Sequence, residues 1–127
     1  MAKETIVLKK RSLHIDDVLK VARLGAHLDI GKEALDTTDK YRQVVEERMT
    51  EKVIYGVNTG FGPMASRLIG SDLISNLQYN LVRSHATGMG EPVSEEFVLA
   101  AMTVRLNTLT QGYSGASVEL IKALKKR

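Results

Sequence analysis

The sequence predicts a mainly α protein: several helices, one or two short strands and a glycine-rich loop. Three observations carry that expectation. Apolar residues recur at helical spacing over residues 15–24, 71–85 and 94–111. Thr5-Ile-Val-Leu8 is β-prone and reads as a short strand. Three glycines fall between Tyr55 and Gly62, a density that suits a loop.

The elements follow in chain order. Ile15, Val18, Leu19, Val21, Ala22 and Leu24 trace a helical stripe. Asp16 and Asp17 suit its first turn, where the helix dipole favours negative charge, and Gly25 is a stop signal. Leu28-Asp-Ile30 is a candidate extended link. Gly31 to Lys52 reads as a second helix, with Thr37-Thr38 a point at which it could break. Ser71 is a suitable N-cap for a helix reaching His85, with Leu73, Leu77 and Leu81 on one stripe and His85 at its edge. Gly88, Gly90 and Pro92 discourage continuation. Ser94 to Gln111 is a further helix with apolar residues around much of its circumference, so it must be buried in a core or against another chain. A last helix runs from about Ala116.

Composition narrows the function classes. The 127 residues suffice for one domain with a modest core. The absence of cysteine excludes disulfides and thiolate metal sites. The net charge of +3 equals the contribution of Lys125, Lys126 and Arg127, whose blandest role is to oppose the negative end of a helix dipole. Aromatic residues, at 5%, are too sparse for a base-stacking platform, so no nucleic-acid partner is expected. The apolar run at Thr5–Leu8 is too short for a signal peptide or membrane span, which makes a cytoplasmic location the default.

Two constellations could carry chemistry. The loop Tyr55-Gly-Val-Asn-Thr-Gly-Phe-Gly62 could let backbone approach a ligand. It is no phosphate loop, because Pro63-Met64 follows Gly62 where Lys-Ser or Lys-Thr would be needed. On glycines alone, a tight turn around Asn58-Thr-Gly60 is the better reading. His85, a lone histidine beside an apolar stripe, reads on its own as a packed residue bonded to a neighbour. His14 and His27 have no partners at metal-ligand spacing and read as surface residues. Arg105 on a nearly apolar helix is costly unless paired, which suggests a structural role holding carbonyls or a carboxylate.

Three blocks shift those weights: Tyr55–Gly62, Arg83-Ser-His-Ala-Thr-Gly88 and Arg105-Leu-Asn-Thr-Leu-Thr-Gln-Gly-Tyr-Ser-Gly115. Together they resemble the N-terminal part of the aromatic amino-acid ammonia-lyases, most closely the histidine-specific branch. The resemblance implies the N-terminal portion of the ammonia-lyase fold. Residues 1–92 would form a small domain with the glycine loop, and residues 93–127 would begin the central helical bundle. It further implies that Tyr55 takes the substrate β-proton from a mobile loop formed by Gly56, Asn58, Thr59, Gly60, Phe61 and Gly62. A tyrosine that acts as base at neutral pH must have its anion stabilised by donors or positive helix ends. His85, with Ser84, would face the substrate ring, and Arg105 and Asn107 would be structural.

The family's electrophile is a methylidene-imidazolone (MIO) cyclised from an Ala-Ser-Gly tripeptide. No Ala-Ser-Gly occurs in this sequence; Ser114-Gly-Ala-Ser117 has the residue types in another order. The resemblance therefore implies no cofactor made within these residues, with MIO expected from a downstream segment or partner chain. The implied activity is elimination of ammonia from L-histidine to give urocanate, completed by the remainder of the enzyme or a complementary subunit in a homo- or hetero-oligomer. Two alternatives stand beside it: a lyase acting on tyrosine, and a non-catalytic helical oligomerisation or regulatory module.

Overall fold

The computed structural model describes residues 4–9, 13–70 and 72–126. Its elements run β1 (Thr5–Leu8), α1 (Ile15–Leu24), β2 (His27–Ile30), α2 (Lys32–Arg48), a 3₁₀ turn (Gly62–Met64), α3 (Ile74–His85), α4 (Glu95–Thr110) and α5 (Val118–Lys125). These residues fall into two compact units. One joins residues 1–45 with 92–127, and the other is 46–91. The first unit thus takes residues from both sides of the boundary expected near 92, and the last turn of α2 belongs to the second.

In the first unit, β1 and β2 pair in parallel, from Thr5 opposite His27 to Leu8 opposite Ile30. The extended link expected at Leu28–Ile30 is thus a full strand. Ile6 and Leu8 turn inward while Thr5 and Val7 face out, the period-two alternation of a half-buried strand. α1 carries both aspartates in its first turn and stops at Gly25 in the left-handed region. α1 packs against α4, with an Arg23–Glu96 ion pair on the surface of that contact. The core gathers Leu8, Ile30, Ala34, Leu106, Leu109 and Ile121. Burying each of the leucine and isoleucine side chains contributes about 1.5–3 kcal/mol, which is why these positions fix the packing.

Three threonines share this interior. Thr38, Thr103 and Thr110 are almost free of solvent. Each hydroxyl donates to a carbonyl of its own helix: Thr38 to Ala34 at 2.8 Å, Thr103 to Leu99 at 2.8 Å, Thr110 to Asn107 at 3.0 Å. The break expected in α2 does not occur: the helix runs unbroken through Thr37-Thr38, with the buried Thr38 hydroxyl satisfied inside it. α2 does end at Arg48 rather than Lys52, and the Lys52 N–H closes a turn on the Arg48 carbonyl at 2.8 Å.

The Gly112–Gly115 turn lies on α2. Gly115 holds φ at 61°, and a Cβ there would meet Val45 Cγ2 at 2.5 Å. Both the angle and the space therefore demand glycine. α5 then starts two residues later than expected, at Val118, capped by Ser117, whose hydroxyl accepts from the Leu120 N–H at 3.2 Å.

α4 buries only one side. Thr103, Leu106, Leu109 and Thr110 face inward, whereas Phe97 is 64% and Val104 50% exposed. The all-round apolar sequence thus leaves one face uncovered.

Candidate active-site loop and helix

The second unit holds both candidate residues for chemistry, Tyr55 and His85. After α2 the chain turns at Ile54–Asn58 and places Tyr55 outward, 64% exposed. Its ring meets Phe61 edge-on, with centroids 5.9 Å apart, and its hydroxyl has no hydrogen-bond partner among the described residues.

The residues between Tyr55 and Phe61 hold the loop together from inside. Asn58 is only 6% exposed. Its side-chain oxygen accepts from the Ile54 N–H at 2.7 Å, and its amide donates to the Met49 and Lys52 carbonyls, each at 2.8 Å. Thr59 is fully buried; its hydroxyl accepts from the Gly56 N–H at 3.1 Å and donates to the Gly60 carbonyl at 2.9 Å. At Gly60 a Cβ would stand 2.6 Å from Met64 Cβ and 2.8 Å from its carbonyl oxygen, so the 3₁₀ turn can close only on glycine. Gly62 opens that turn, with Pro63 behind it. The Ile69 N–H returns to the Asn58 carbonyl at 3.0 Å, which ties the far side of the loop down.

α3 begins at Ile74, later than expected, because a turn from the Leu73 N–H to the Gly70 carbonyl (2.9 Å) precedes it. Asp72 therefore stands before the helix, and Ser71, the expected N-cap, lies outside the described residues. His85 is the last helical residue, exposed, with Ser84 beside it. Its Nδ1 lies 2.9 Å from the Leu81 carbonyl oxygen and 3.1 Å from Ser84 Oγ. It is therefore a solvent-facing group held by its own helix, not a packed core histidine.

One contributor escaped the sequence reading. Gln78 donates from Nε2 to the Gly56 carbonyl at 3.3 Å, joining α3 to the residue next to Tyr55. Gln78 and His85 are seven apart, so they share a helix face about 10 Å apart along the axis. The spacing was visible in the sequence; the partner carbonyl was not.

Arg105 and Asn107 belong to the first unit. Arg105 is exposed, so the desolvation that would force it to pair does not arise in this chain. The Asn107 carbonyl accepts from Thr110 and Gln111, while its buried side-chain oxygen has no partner among the described residues. His14 and His27 are exposed, as expected; the His14 N–H bonds Asp17 Oδ2 at 3.2 Å. Among the described residues, no group of three His, Cys, Asp or Glu could hold a metal ion, and no helix is long and apolar enough to cross a membrane.

A glycine loop locked from within, an outward tyrosine and a histidine-ended helix together mark a lyase-type N-terminal region. The chain belongs to the aromatic amino acid lyase family, whose model matches residues 13–126. It is 40% identical over 120 residues to a histidine ammonia-lyase of Streptococcus gordonii, covering 94% of this chain and 23% of that protein. Its fold matches the ergothionase of Treponema denticola with a TM-score of 0.90 at 28% identity, over 96% of this chain and 25% of that one. It matches a tyrosine aminomutase of Streptomyces globisporus with a TM-score of 0.88 at 30% identity, over 96% and 23%. The chain thus spans about a quarter of the length of these relatives, and its helices and short strands form the N-terminal portion of the ammonia-lyase fold.

Proposed function

We propose that this chain supplies the N-terminal portion of a histidine ammonia-lyase-like enzyme, eliminating ammonia from L-histidine to give urocanate. The observation that carries the reading is the Gln78–Gly56 bond, which couples the Tyr55 loop to the helix face that ends in His85. In the elimination the Cβ–H and Cα–N bonds break, a C=C bond forms and ammonia leaves. Tyr55 receives the β-proton as its phenolate, and His85 with Ser84 orients the substrate ring. General bases of this kind contribute about 10²–10⁴-fold.

The residues of this chain do not build the family's electrophile. No Ala-Ser-Gly is present. In the nearest sequence, Ser114–Ser117, Gly115 is fixed against Val45 and Ser117 caps α5. The group, and the donors that a Tyr55 phenolate needs, come in this reading from another segment or a complementary subunit. The exposed side of α4, with Phe97, Val98 and Val104, is the surface such a partner would cover. The likeness to a tyrosine aminomutase supports a second reading, with tyrosine as substrate through the same His85 contact.

The test is co-expression of this chain with the complementary three-quarters of a histidine ammonia-lyase, followed by assays of urocanate and ammonia. Activity is expected from the co-purified pair and none from this chain alone. Urocanate from the pure chain, or an inactive but well-assembled pair, would overturn the proposal.

A further inference from the structure

Two contacts at the end of α3 decide which nitrogen of His85 carries its proton. A carbonyl oxygen only accepts, so the 2.9 Å approach of Nδ1 to the Leu81 carbonyl requires a proton on Nδ1. Ser84 points to the same answer. Its hydroxyl donates to that carbonyl at 2.9 Å, which leaves its lone pairs to accept from Nδ1, 3.1 Å away. The carbonyl thus demands the Nδ1–H tautomer and the hydroxyl is compatible with it, by the usual rule that the bond made by one ring nitrogen sets the state of the other.

We propose that the Leu81 carbonyl and the Ser84 hydroxyl hold neutral His85 in the Nδ1–H form, so that its outward Nε2 presents a bare acceptor and selects substrate rings bearing an N–H or O–H donor. This rests on the reading of His85 as the substrate-ring contact. Ser84 is then a positioning residue, acting through His85 rather than on the substrate. The rule separates rings of similar size. Imidazole and phenol rings carry a donor. A pyridyl ring offers only an acceptor, which would meet Nε2 lone pair to lone pair, and a site built around a hydrogen bond rejects analogues that cannot complete it.

The tautomer can be read in this chain without any partner. Uniformly ¹⁵N-labelled protein is taken above the imidazole titration, and two-bond ¹H–¹⁵N correlations are recorded. The His85→Gln variant identifies the resonances; position 85 is exposed, so the fold is expected to survive. A free histidine side chain in water favours Nε2–H, so an Nδ1–H pattern at His85 is a distinctive result. An Nε2–H pattern overturns the proposal whatever the enzyme does. In the co-purified pair, kcat/KM for 3-(3-pyridyl)alanine should fall about tenfold or more below that for histidine. Nδ1–H combined with equal efficiency on both substrates would overturn His85 as the ring contact, and the substrate rule with it.

Discussion

Replacing Asn58 by alanine should loosen the Tyr55 loop without unfolding the first unit. The side chain makes three hydrogen bonds, to the Ile54 N–H and to the Met49 and Lys52 carbonyls, at 2.7–2.8 Å. A net intramolecular bond contributes about 0.5–1.5 kcal/mol, more where a buried group is left unpaired. Lys52 and its neighbours are exposed, so water can replace part of the carbonyl bonding. The Ile54 N–H is half-buried and less easily satisfied. A loss of about 2–3 kcal/mol follows for the second unit.

Native-state hydrogen exchange reads this locally. The amides of Ile69, bonded to the Asn58 carbonyl, and Gly60, bonded to the Arg67 carbonyl, report opening of the loop. Their exchange should accelerate about 30- to 150-fold if that loss is expressed as local opening. Asn58→Asp provides the decisive control. It preserves volume and the acceptor for Ile54, but turns two donors into an anionic oxygen facing two carbonyls. It should be at least as damaging as alanine at neutral pH, and should recover in part in acid. Exchange within about threefold of the parent in Asn58→Ala, or parent-like protection in Asn58→Asp, would refute the locking role.

Three further outcomes are expected. In the reconstituted pair, Tyr55→Phe should lower kcat by about 10²–10⁴-fold, whereas His85→Leu should reduce kcat/KM for histidine and tyrosine far more than for phenylalanine; equal losses on all three would remove the ring contact. Gly115→Ala should cost about 2–4 kcal/mol, combining a left-handed backbone angle with displacement of Val45, and thermal unfolding should show it as a lowered midpoint. The carboxyl of Asp29 is held below its ordinary value by the hydrogen bond from Lys125, then by the Ile30 N–H. Its folded pKa is thus depressed, so its stabilisation is present above the ordinary carboxylate pKa and fades as pH falls through the folded value. Asp29→Asn should flatten that acidic part of the urea midpoint-versus-pH curve.

The legible features were those written in local pattern. The stripe of α1, the Gly25 stop, Ser94 at the start of α4 and the β-prone Thr5–Leu8 all stand where the residues indicated. β2 was harder, because Leu28–Ile30 is short and becomes a strand only by pairing with β1. The inner role of Asn58 was also hidden. Asparagine in a glycine loop reads as a turn former, and its partners at Met49 and Lys52 are backbone carbonyls that carry no side-chain signal. Likewise the exposure of Arg105 depends on which side of α4 meets the core, and an all-round apolar helix does not declare that side.

The interior threonines and Asn58 divide the molecule mechanically. Among the described residues, the hydroxyls of Thr38, Thr103 and Thr110 bond only to their own helices, so their partners travel with them. Among the described residues nothing polar ties one element to another at the threonines themselves; that is left to surface pairs such as Arg23–Glu96 and Lys125–Asp29. Small sliding displacements of the helices would leave every one of the threonine bonds intact. Asn58 has the opposite character: its three bonds converge on the backbone of the preceding segment, residues 49–54, so displacement of the loop base breaks them together. The chain thus combines interior helices that can adjust by degrees with a loop base that either holds or releases.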